Sequence, residues 1–450
     1  MKKATKRIVI LGGGYVAVWA YRSLCKKLRL EIAGGLVEII VVCPEQHHSF
    51  HGWTAESLTG IIKDQNRMSS LSEIFTNARQ ILGKAIEIDA DSNLVCVKTN
   101  DGNFEMLHYD HLLLSIGSFD NSNVQGLTDF GYQVKSHPAF LHTKQMIQQV
   151  VKNASEAEAP VAQRLLSFTI AGGGFTGVEL ATNIAEFIEV LKKGYPSLQK
   201  IQPAIRLVNS GTRILNELQP RFEKMISYAE AQMKKYGIEM LNGKKIAKVT
   251  KEGAFLNDGS FIESTMVIST IGQCRMVLKG TEKMERDKLD RLYVNRYLQI
   301  GGHENIWGGG DACHVVNCKT MKASPTNALW AIKHGECAGK NIARAIKNSP
   351  LQNFSFRGLG QAASLGIGKG IGELYGIQFT GWLAWILRLF VFNYFMPSRK
   401  VMFNEIKDWM LLLITGRRQG MTVNLEKREK ENIYSNVSTD LDKMFLVKNI

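Results

Sequence analysis

The sequence predicts an α/β protein with two Rossmann-like domains, because one pattern occurs twice along the 450 residues. Each copy has an apolar, β-branched run, three glycines, a stretch with helical spacing and a second apolar run. The first copy lies at residues 7–11, 12–14, 15–30 and 37–42. The second copy lies at residues 166–171, 172–174, 176–191 and 205–208. A strand, a glycine turn, a helix and a second strand form the βαβ unit that such folds repeat.

The composition supports a globular protein of more than one domain. Hydrophobic residues make up 45% and charged residues 22% of a chain that is too long for one ordinary core. Seven cysteines, odd in number and scattered, are typical of reduced thiols. No uncharged apolar stretch of about 18 residues occurs, so no transmembrane helix is expected. The formal net charge of +15 is compatible with three anionic partners: nucleic acid, an anionic membrane surface or anionic nucleotides. The charge alone does not distinguish among them.

The first glycine motif comprises Gly12 to Gly14 and Ala17. In the pattern G-x-G-x-x-A, the first glycine makes the turn, the second lets a pyrophosphate approach, and the small last residue allows close helix packing. The free N–H groups at the start of the helix then bind the phosphates. A carboxylate normally ends the second strand and binds the ribose, but Cys43 stands there. Glu45 is the candidate replacement, or else a solvated loop residue.

The second glycine motif comprises Gly172, Gly174 and Gly177 and fits the full G-x-G-x-x-G pattern. Asn209 stands at the end of the following strand, where it offers a polar partner to a ribose hydroxyl. No basic residue is adjacent to Asn209, and Arg213 is four residues further on. A 2′-phosphate would need such a cation, so NADH is favoured over NADPH.

A third motif, Gly308 to Ala312, reads GGGDA and follows a strand-like run. Alone, Asp311 would be a turn residue. Together with S-I-G-S at Ser115 to Ser118, T-I-G at Thr270 to Gly272 and the two glycine motifs, it resembles the two-dinucleotide-binding flavoprotein superfamily over residues 5–345. The resemblance implies FAD at the first motif, a nicotinamide nucleotide at the second, and Asp311 as the residue that holds the ribityl chain of FAD.

The resemblance also implies the domains and the site residues. The FAD-binding domain would comprise residues 1–150 and 286–349, with the NAD-binding domain at 151–285 and a C-terminal extension at 350–450. The predicted cofactor-binding residues are Gly12, Gly13, Gly14, Ala17, Glu45, Ser115, Gly117, Gly172, Gly174, Gly177, Asn209, Gly272, Asp311 and Ala312. No metal site is predicted.

Two branches of the superfamily fit the sequence poorly. Disulfide reductases need a redox-active cysteine pair beside the flavin. The close pair Cys313 and Cys318 follows the GGGDA motif instead, and both are interpreted as incidental thiols. Sulfide oxidation is disfavoured because no cysteine lies between Cys96 and Cys274.

The C-terminal extension contains a glycine-rich run at 354–368, F-T-G-W-L-A-W at 379–385, and Asp408-Trp409 ahead of Arg417-Arg418. These segments resemble the type II NADH:quinone oxidoreductases. The resemblance implies a small sheet and amphipathic helices that lie on the membrane and complete a quinone site.

The extension also has the chemistry of a membrane-binding surface. Residues 382–395 are rich in aromatic side chains but too few to span a bilayer. One helical face of the next segment is predicted to be apolar, with Met402, Ile406, Trp409 and Leu413. Polar residues largely lie elsewhere, at Asn404, Glu405, Lys407 and Asp408. The cations that would meet anionic lipid are Arg399, Lys400, Arg417 and Arg418. A dimer interface, or a helix packed on the protein body, is the alternative.

One departure from the type II family concerns the helix after GGGDA, which is expected to begin at Ser324-Pro325. Family members usually carry two glutamines there, and these positions fall on Leu329 and Lys333. Lys333 is a catalytic candidate that would stabilise the anionic reduced flavin, or else an exposed lysine without a function. Glu179, in G-V-E-L-A, is the second candidate, which by resemblance lies near the nicotinamide–flavin junction and assists proton delivery. Its alternative role is a first-turn glutamate favoured by the helix dipole.

The sequence thus predicts an FAD-dependent enzyme that takes a hydride from NADH and reduces a membrane quinone without pumping protons. The protein would bind the cytoplasmic face of the cell membrane through residues 380–418. No nucleic-acid partner is expected. The sequence does not decide between a monomer and a homodimer. A soluble flavoprotein reductase with an acidic protein or another small acceptor is the main alternative. A regulatory protein that binds both nucleotides without turnover is the second alternative.

Overall fold

The computed structural model describes residues 5–121 and 123–416, so the predicted membrane contacts Arg417 and Arg418 lie outside the described residues. The strands are β1 Lys6–Leu11, β2 Val37–Cys43, β3 His47–Ser49, β4 Met68–Ser70, β5 Arg79–Asp89, β6 Leu94–Thr99, β7 Phe104–His108, β8 His111–Leu114, β9 Phe119–Asp120, β10 Ser167–Ala171, β11 Ala204–Asn209, β12 Glu239–Asn242, β13 Ile246–Thr250, β14 Gly253–Leu256, β15 Phe261–Glu263, β16 Met266–Ser269, β17 Gln273–Cys274, β18 Leu292–Tyr293, β19 Ile306–Gly308, β20 Cys313–His314, β21 Val316–Asn317, β22 Lys322–Ala323, β23 Gly360–Ser364, β24 Gly370–Leu374 and β25 Ile377–Thr380. The α-helices are α1 Tyr15–Lys27, α2 Arg29–Ala33, α3 Thr54–Leu58, α4 Leu71–Ile74, α5 Leu127–Phe130, α6 His137–Glu156, α7 Ala159–Leu165, α8 Phe175–Lys192, α9 Glu223–Lys235, α10 Ala328–Ile346, α11 Trp382–Tyr394 and α12 Arg399–Thr415.

The first sheet has seven strands in the order β19-β8-β1-β2-β5-β6-β7. β1 pairs in parallel with β2 and β8, and β8 pairs in parallel with β19. β1 is buried from Ile8 to Leu11, as expected for a parallel strand that is covered on both faces. The strand that precedes GGGDA therefore ends at the same edge of the sheet as the strand that precedes the first glycine motif.

The second sheet is parallel and has the order β12-β11-β10-β16. The second glycine motif follows β10 and leads into α8. A small antiparallel sheet, β13-β14-β15, packs beside it through an apolar cluster that includes Val208, Val249 and Val267. The prediction of a mixed α/β fold with two Rossmann-like units is therefore confirmed.

Two glycines of α10 allow it to pack directly on α1. A Cβ atom at Gly335 would lie 2.4 Å from Val16 O, and a Cβ atom at Gly339 would lie 2.4 Å from Ala20 O. The glycines are four residues apart, so both lie on one face of the helix. This close contact holds the helix after Asp311 against the helix that follows the first glycine motif.

The start of α10 differs from the prediction. The helix begins at Ala328, and the side chain of its N-cap, Asn327, accepts a hydrogen bond from Trp330 N. Ser324 belongs to the preceding hairpin, because its N–H donates to Val315 O and the neighbouring Ala323 pairs in β22. The expected start at Ser324-Pro325 is wrong for this reason.

The extension forms the antiparallel sheet β23-β24-β25 and then α11 and α12. The two helices close over an apolar cluster to which an earlier segment contributes Phe50 and Trp53. Trp53 makes edge-to-face contacts with Phe392 and Trp409, and Trp409 makes another with Trp385. Across the part of the chain that the structure describes, no helix is long and apolar enough to cross a membrane.

The exposed face of α12 also differs from the prediction. Its buried residues are Val401, Glu405, Asp408, Trp409 and Leu412. Its exposed apolar residues are Phe403, Met410, Leu411, Leu413 and Ile414. Asp408 turns inward because its Oδ2 accepts hydrogen bonds from Lys63 N at 3.1 Å and from Asn66 Nδ2 at 2.6 Å. The helix is therefore rotated relative to the predicted face, and Leu413 points to solvent.

Candidate active site

The first glycine loop leaves open space for a phosphate group. Gly12 has φ +115°, and a Cβ atom there would lie 2.5 Å from Ser115 O, so only glycine fits. A Cβ atom at Gly14 would meet no atom within 4 Å. Gly14 is the N-cap of α1 and makes no side-chain cap, so the first N–H groups of the helix can bind an anion. Ala17 is buried beneath the loop.

The end of β2 carries the candidates for the ribose contact. Cys43 is buried, with its Sγ atom 2.9 Å from the position that a Cβ atom at Gly13 would take. Burial raises the pKa of Cys43 to about 11, so the thiol is neutral. Glu45 is exposed two residues further along the chain. Its contact with a ribose stays a prediction.

The S-I-G and T-I-G motifs form equivalent turns beneath the two glycine loops. Ser115 Oγ donates a 2.6 Å hydrogen bond to the carbonyl at the end of β1, and Thr270 Oγ1 donates a 2.8 Å bond to the end of β10. Gly117 and Gly272 follow with φ +67° and +68°. Each motif thus ties together the ends of two adjacent parallel strands.

Asp311 lies in a network that sequence reasoning had only partly found. Ser118 Oγ donates a 2.7 Å hydrogen bond to Asp311 Oδ2, and Lys135 Nζ lies 3.5 Å from the same oxygen. Arg275 Nε donates to the backbone oxygen of Asp311 at 3.1 Å. Gly310, with φ +67°, makes the turn, and Ala312 is buried behind it. The position of Ser118 after S-I-G is a sequence signal for this network, whereas Lys135 and Arg275 have none.

A buried histidine supports the GGGDA turn. Gly310 N donates a 3.0 Å hydrogen bond to Nδ1 of His334 on α10. Burial lowers the pKa of His334 to about 3, so the ring is neutral and its Nδ1 atom can accept this bond. His334 directly follows Lys333, so the bond also fixes the turn of α10 that carries this catalytic candidate.

The second glycine loop repeats the geometry of the first. Gly172 has φ +113°, a region that favours glycine. A Cβ atom at Gly177 would lie 1.8 Å from Gly172 O, so the helix packs against the loop without room for any side chain. At Gly174 the nearest atom to a Cβ position is Glu217 Oε1, 3.8 Å away. The open space of this loop therefore lies at Gly174.

Asn209 and Arg213 are both engaged with other protein groups. Asn209 Nδ2 donates to Asn242 Oδ1 at 2.9 Å and to Gly211 O at 3.1 Å. Arg213 is held by carboxylates on α9, with Nη2 2.7 Å from Glu230 Oε2. An arginine already paired in this way is a poor partner for a 2′-phosphate, which agrees with the preference for NADH. The contact between Asn209 and a ribose stays a prediction.

Glu179 lies where α8 meets the extension. It is the fifth residue of the helix, and its Oε1 accepts hydrogen bonds from Arg388 Nη2 at 2.9 Å and from Ser364 N at 2.8 Å. These contacts account for its position better than the helix dipole does. Burial raises the pKa of Glu179 to about 7, an effect that Glu56 enhances and Arg388 opposes. At neutral pH the carboxyl group is suited to exchange a proton.

An apolar cleft of about 580 Å³ opens between α10 and the extension. Its lining residues are Leu329, Lys333, Phe356, Leu359, Tyr375, Phe390, Val391, Tyr394 and Phe395. The structure thus brings Leu329 and Lys333, the positions associated with the family's two glutamines, into one cavity. Lys333 is half-buried and lies 3.0 Å from Glu336 Oε1, so it is not simply a solvated lysine.

The first glycine loop and the GGGDA turn follow two strands of the first sheet, and the second glycine loop follows a strand of the second sheet. The comparisons with known proteins agree with this arrangement. A family model described as pyridine nucleotide-disulphide oxidoreductase matches residues 6–335. The chain belongs to this family. Its membership, with relatives named NADH dehydrogenase, confirms the prediction of an oxidoreductase that uses FAD and NADH.

Relatives extend the similarity into the C-terminal extension. A probable NADH dehydrogenase of Dictyostelium discoideum is 25% identical over 431 residues, which cover 92% of this chain and 90% of that protein. The type II NADH:quinone oxidoreductase of Staphylococcus aureus strain NCTC 8325 is 23% identical over 388 residues, covering 85% of this chain and 92% of that protein. The resemblance to type II NADH:quinone oxidoreductases is therefore confirmed.

Solved structures show the same fold. NDH2 of Plasmodium falciparum in complex with NADH has a TM-score of 0.81 at 15% identity, covering 92% of this chain and 99% of that chain. The sulfide:quinone oxidoreductase of Aquifex aeolicus has a TM-score of 0.71 at 15% identity, covering 92% and 96%. At this level of identity the likeness concerns the fold alone.

The seven cysteines of this family member are all free thiols, with no disulfide bond among them. Burial raises the pKa values of Cys313 and Cys337 to about 12, so both are unreactive at neutral pH. The structure also shows no cluster of metal-ligating side chains among residues 5–121 and 123–416.

Proposed function

We propose that this protein oxidises NADH and reduces a quinone at the cytoplasmic face of the cell membrane, without pumping protons. The apolar cleft beside Lys333 carries the proposal, because it offers a hydrophobic ring a binding place next to the segment that would hold FAD. Relatives named type II NADH:quinone oxidoreductase support the same acceptor. In this proposal residues 151–285 bind NADH, and residues 1–150 and 286–349 bind FAD.

The residues of the first nucleotide site fit FAD, which when bound accepts a hydride and passes two electrons to an acceptor. The open space at Gly14 and the start of α1 would hold its pyrophosphate, and Asp311 its ribityl chain. The open space at Gly174 would hold the pyrophosphate of NADH. We assign the ribose contacts to Glu45 and Asn209. The protein's part in hydride transfer is to bind and align the two cofactors and to exclude water.

The reaction calls for a group that can take up and release a proton. The overall reaction, NADH + H⁺ + quinone → NAD⁺ + quinol, takes up one proton. Glu179 is the group that would deliver protons, because its carboxyl group can gain and lose a proton near pH 7. Lys333 would stabilise negative charge that develops beside the cleft.

Attachment to the membrane is assigned to the exposed apolar side chains of α11 and α12. On α11 the exposed fractions of Trp382, Phe390 and Tyr394 are 65%, 71% and 82%. Phe390 and Tyr394 also line the cleft, so the cleft opens on the face that would meet lipid. Arg399 and Lys400 are exposed at the start of α12, and each cation near an anionic leaflet adds about 1 kcal/mol.

Anaerobic reduction by NADH, followed by addition of a short-chain quinone, tests the proposal. The absorbance of the oxidised flavin should disappear with NADH and return with the quinone. A flavin that NADH reduces, but that only a small iron–sulfur protein reoxidises, would contradict the quinone assignment and favour the soluble reductase.

A further inference from the structure

Arg67, which directly precedes β4, is a buried cation without an acidic partner. The residue is 1% exposed, and its guanidinium carbon lies 3.9 Å from the ring centre of Phe140. Its Nε and Nη2 atoms are buried and donate to no acceptor among the described residues. Asp64, three residues earlier, pairs instead with Lys144, whose Nζ lies 2.6 Å from Asp64 Oδ1. No salt bridge within the part of the chain that the structure describes therefore compensates the charge of Arg67.

The guanidinium group keeps its charge at neutral pH. Burial lowers the pKa of Arg67 to about 10, an effect that Asp64, Tyr15 and Glu45 oppose. At pH 7 the side chain is still protonated. A buried charge without a partner is costly, because no nearby opposite charge offsets the loss of hydration. A ligand that brings negative charge would offset it.

Hydrogen bonds connect the hairpin of β3 and β4 to the first glycine loop. The backbone oxygen of Arg67 accepts a 2.8 Å hydrogen bond from the N–H of the residue that follows β3. On β3, His48 Nδ1 lies 3.0 Å from Gly13 O. Beyond β3, His51 N donates to the hydroxyl of Tyr15 at 3.0 Å. The hairpin that carries Arg67 is thus fixed to the glycine loop and to the first residue of α1.

Titratable groups around this loop respond to the charge of Arg67. Burial raises the pKa values of Tyr15 and Glu45 and lowers that of His51 to about 3, and the charge of Arg67 lowers all three. Tyr15 begins α1, whereas Glu45 follows β2. The groups that respond therefore lie around the loop at which the pyrophosphate of FAD would bind.

We propose that Arg67 binds FAD through its charge, which the pyrophosphate group compensates. The oxidised flavin ring is neutral, so the pyrophosphate supplies the negative charge that Arg67 attracts when oxidised FAD binds. The same unpaired guanidinium makes the protein less stable without FAD. The inference concerns the FAD site and is independent of the acceptor that reoxidises the flavin.

Arg67→Met, which removes the charge and keeps an unbranched side chain, tests the proposal in the full-length protein. Thermal unfolding at a series of FAD concentrations measures both effects, because a ligand that binds only the folded state raises the unfolding temperature with its concentration. Without FAD, the variant should unfold at a higher temperature than the wild type. Its affinity for FAD should be at least about 10-fold weaker. A variant that is less stable without FAD, that does not fold, or that binds FAD as tightly as the wild type would overturn the proposal.

Two further variants separate charge from other effects. Lys192→Met removes a buried cation that does have a partner, since its Nζ lies 2.9 Å from Glu189 Oε1. This control should not raise the unfolding temperature, and its affinity for FAD should stay within about twofold of the wild type. Arg67→Lys keeps the charge and should retain more affinity for FAD than Arg67→Met does. Equal losses in the two Arg67 variants would show that shape and not charge matters, and would overturn the proposal.

The midpoint potential of the bound flavin distinguishes the pyrophosphate from the reduced ring as the source of negative charge. The reduced ring is anionic only after electrons arrive, so a charge that acted there would change the potential and not the affinity for oxidised FAD. A lower potential in Arg67→Met together with unchanged affinity would overturn the assignment to the pyrophosphate. Neither measurement needs a quinone, so a failure of quinone reduction would contradict the proposed function and leave this inference standing.

Discussion

Ser118 Oγ donates a 2.7 Å hydrogen bond to Asp311 Oδ2 although the two residues are 193 positions apart in the chain. The bond fixes the Asp311 carboxylate at the edge of the first sheet where both the S-I-G turn and the GGGDA turn lie. It leaves the second oxygen of Asp311 available to a ligand. The relationship explains why two short motifs, each unremarkable alone, define one cofactor site together.

Replacement of Asp311 by alanine should weaken FAD binding at least about 10-fold, because a charged hydrogen-bond partner contributes about 1.5–3 kcal/mol. Ser118→Ala should have a smaller effect in the same direction, since it removes only the group that orients the carboxylate. The ratio of flavin absorbance to protein after gel filtration measures both effects. Asp129→Asn, at an exposed position on α5, is the control and should retain FAD. Full FAD content in Asp311→Ala would refute the ribityl assignment.

The second glycine loop predicts different effects for substitutions at Gly174 and at Gly177. Gly174→Val places its side chain in open space, so the protein should fold and keep FAD but lose reduction of the flavin by NADH. Gly177→Ala places its methyl group 1.8 Å from Gly172 O, so it should destabilise the domain itself. Stopped-flow absorbance and thermal unfolding separate these outcomes. Normal reduction by NADH in Gly174→Val would contradict the position of the second nucleotide.

The glycine loops were predictable from sequence because their geometry restricts the residue type. The positive φ angle at Gly12 and the close backbone contact at Gly177 exclude residues other than glycine. The glycine pattern in the sequence therefore predicts the loop structure. Lys135 has no such local requirement, and only tertiary contacts bring it to Asp311. The same holds for Arg388, which in the sequence is a single charge within an aromatic segment. Arg388 is buried because it pairs with Glu56 and Glu179, which lie far from it along the chain.

The rotation of α12 shows the limit of the amphipathic pattern. The pattern assigns charged residues to water, because an unpaired charge is costly to bury. Asp408 is buried because Asn66 and the backbone N–H of Lys63 supply hydrogen bonds, and these donors belong to another part of the chain. The presence of two aromatic and amphipathic helices was predictable, and the face that each presents was not.

Filling the apolar cleft should separate the two half-reactions. Leu329→Trp adds a large ring to the cleft lining, so kcat/KM for a short-chain quinone should fall at least about 10-fold, equivalent to about 1.4 kcal/mol. Reduction of the flavin by NADH should remain within about twofold of the wild type. Steady-state kinetics with quinone and single-turnover kinetics without it make the comparison. An equal loss in both would mean that the substitution acts through the fold and not through an acceptor site.

Glu405 predicts a dependence of stability on pH. Its side chain is buried, and burial raises its pKa in the folded protein to about 8, above its usual value of 4.5. The unfolded chain therefore ionises first, and the stability present at low pH is lost as pH rises from about 4.5 to about 8, by roughly 1.4 kcal/mol per unit. Glu405→Gln stays neutral and should unfold at a higher temperature than the wild type at pH 8, with a smaller difference at pH 5. An equal difference at both values would show that the carboxyl group is ionised in the folded protein.

A test of membrane binding must leave the core of the extension intact. Arg388 pairs with Glu56 and Glu179, and the extension covers Trp53, so ending the chain near Ser349 would leave buried charges without a partner and expose an aromatic core. Loss of quinone reduction in such a truncation would not distinguish a lost membrane anchor from a disrupted fold. Substitutions on the exposed face of α12 avoid this difficulty.

The double variant Leu413→Asp and Ile414→Asp should lose binding to anionic vesicles while it keeps FAD and its reduction by NADH, because the two side chains are 69% and 79% exposed. Each apolar side chain buried in lipid contributes about 1.5–3 kcal/mol, so the pair should weaken partitioning roughly 100-fold or more. High salt alone should release the wild type poorly, since it screens the cations and leaves apolar burial intact. A control with Val277→Asp and Leu289→Asp, also at exposed apolar positions, should bind vesicles normally. If the α12 variant pellets with vesicles as well as this control does, α12 is not the membrane contact. If the wild type itself does not pellet with vesicles, the soluble reductase becomes the better account.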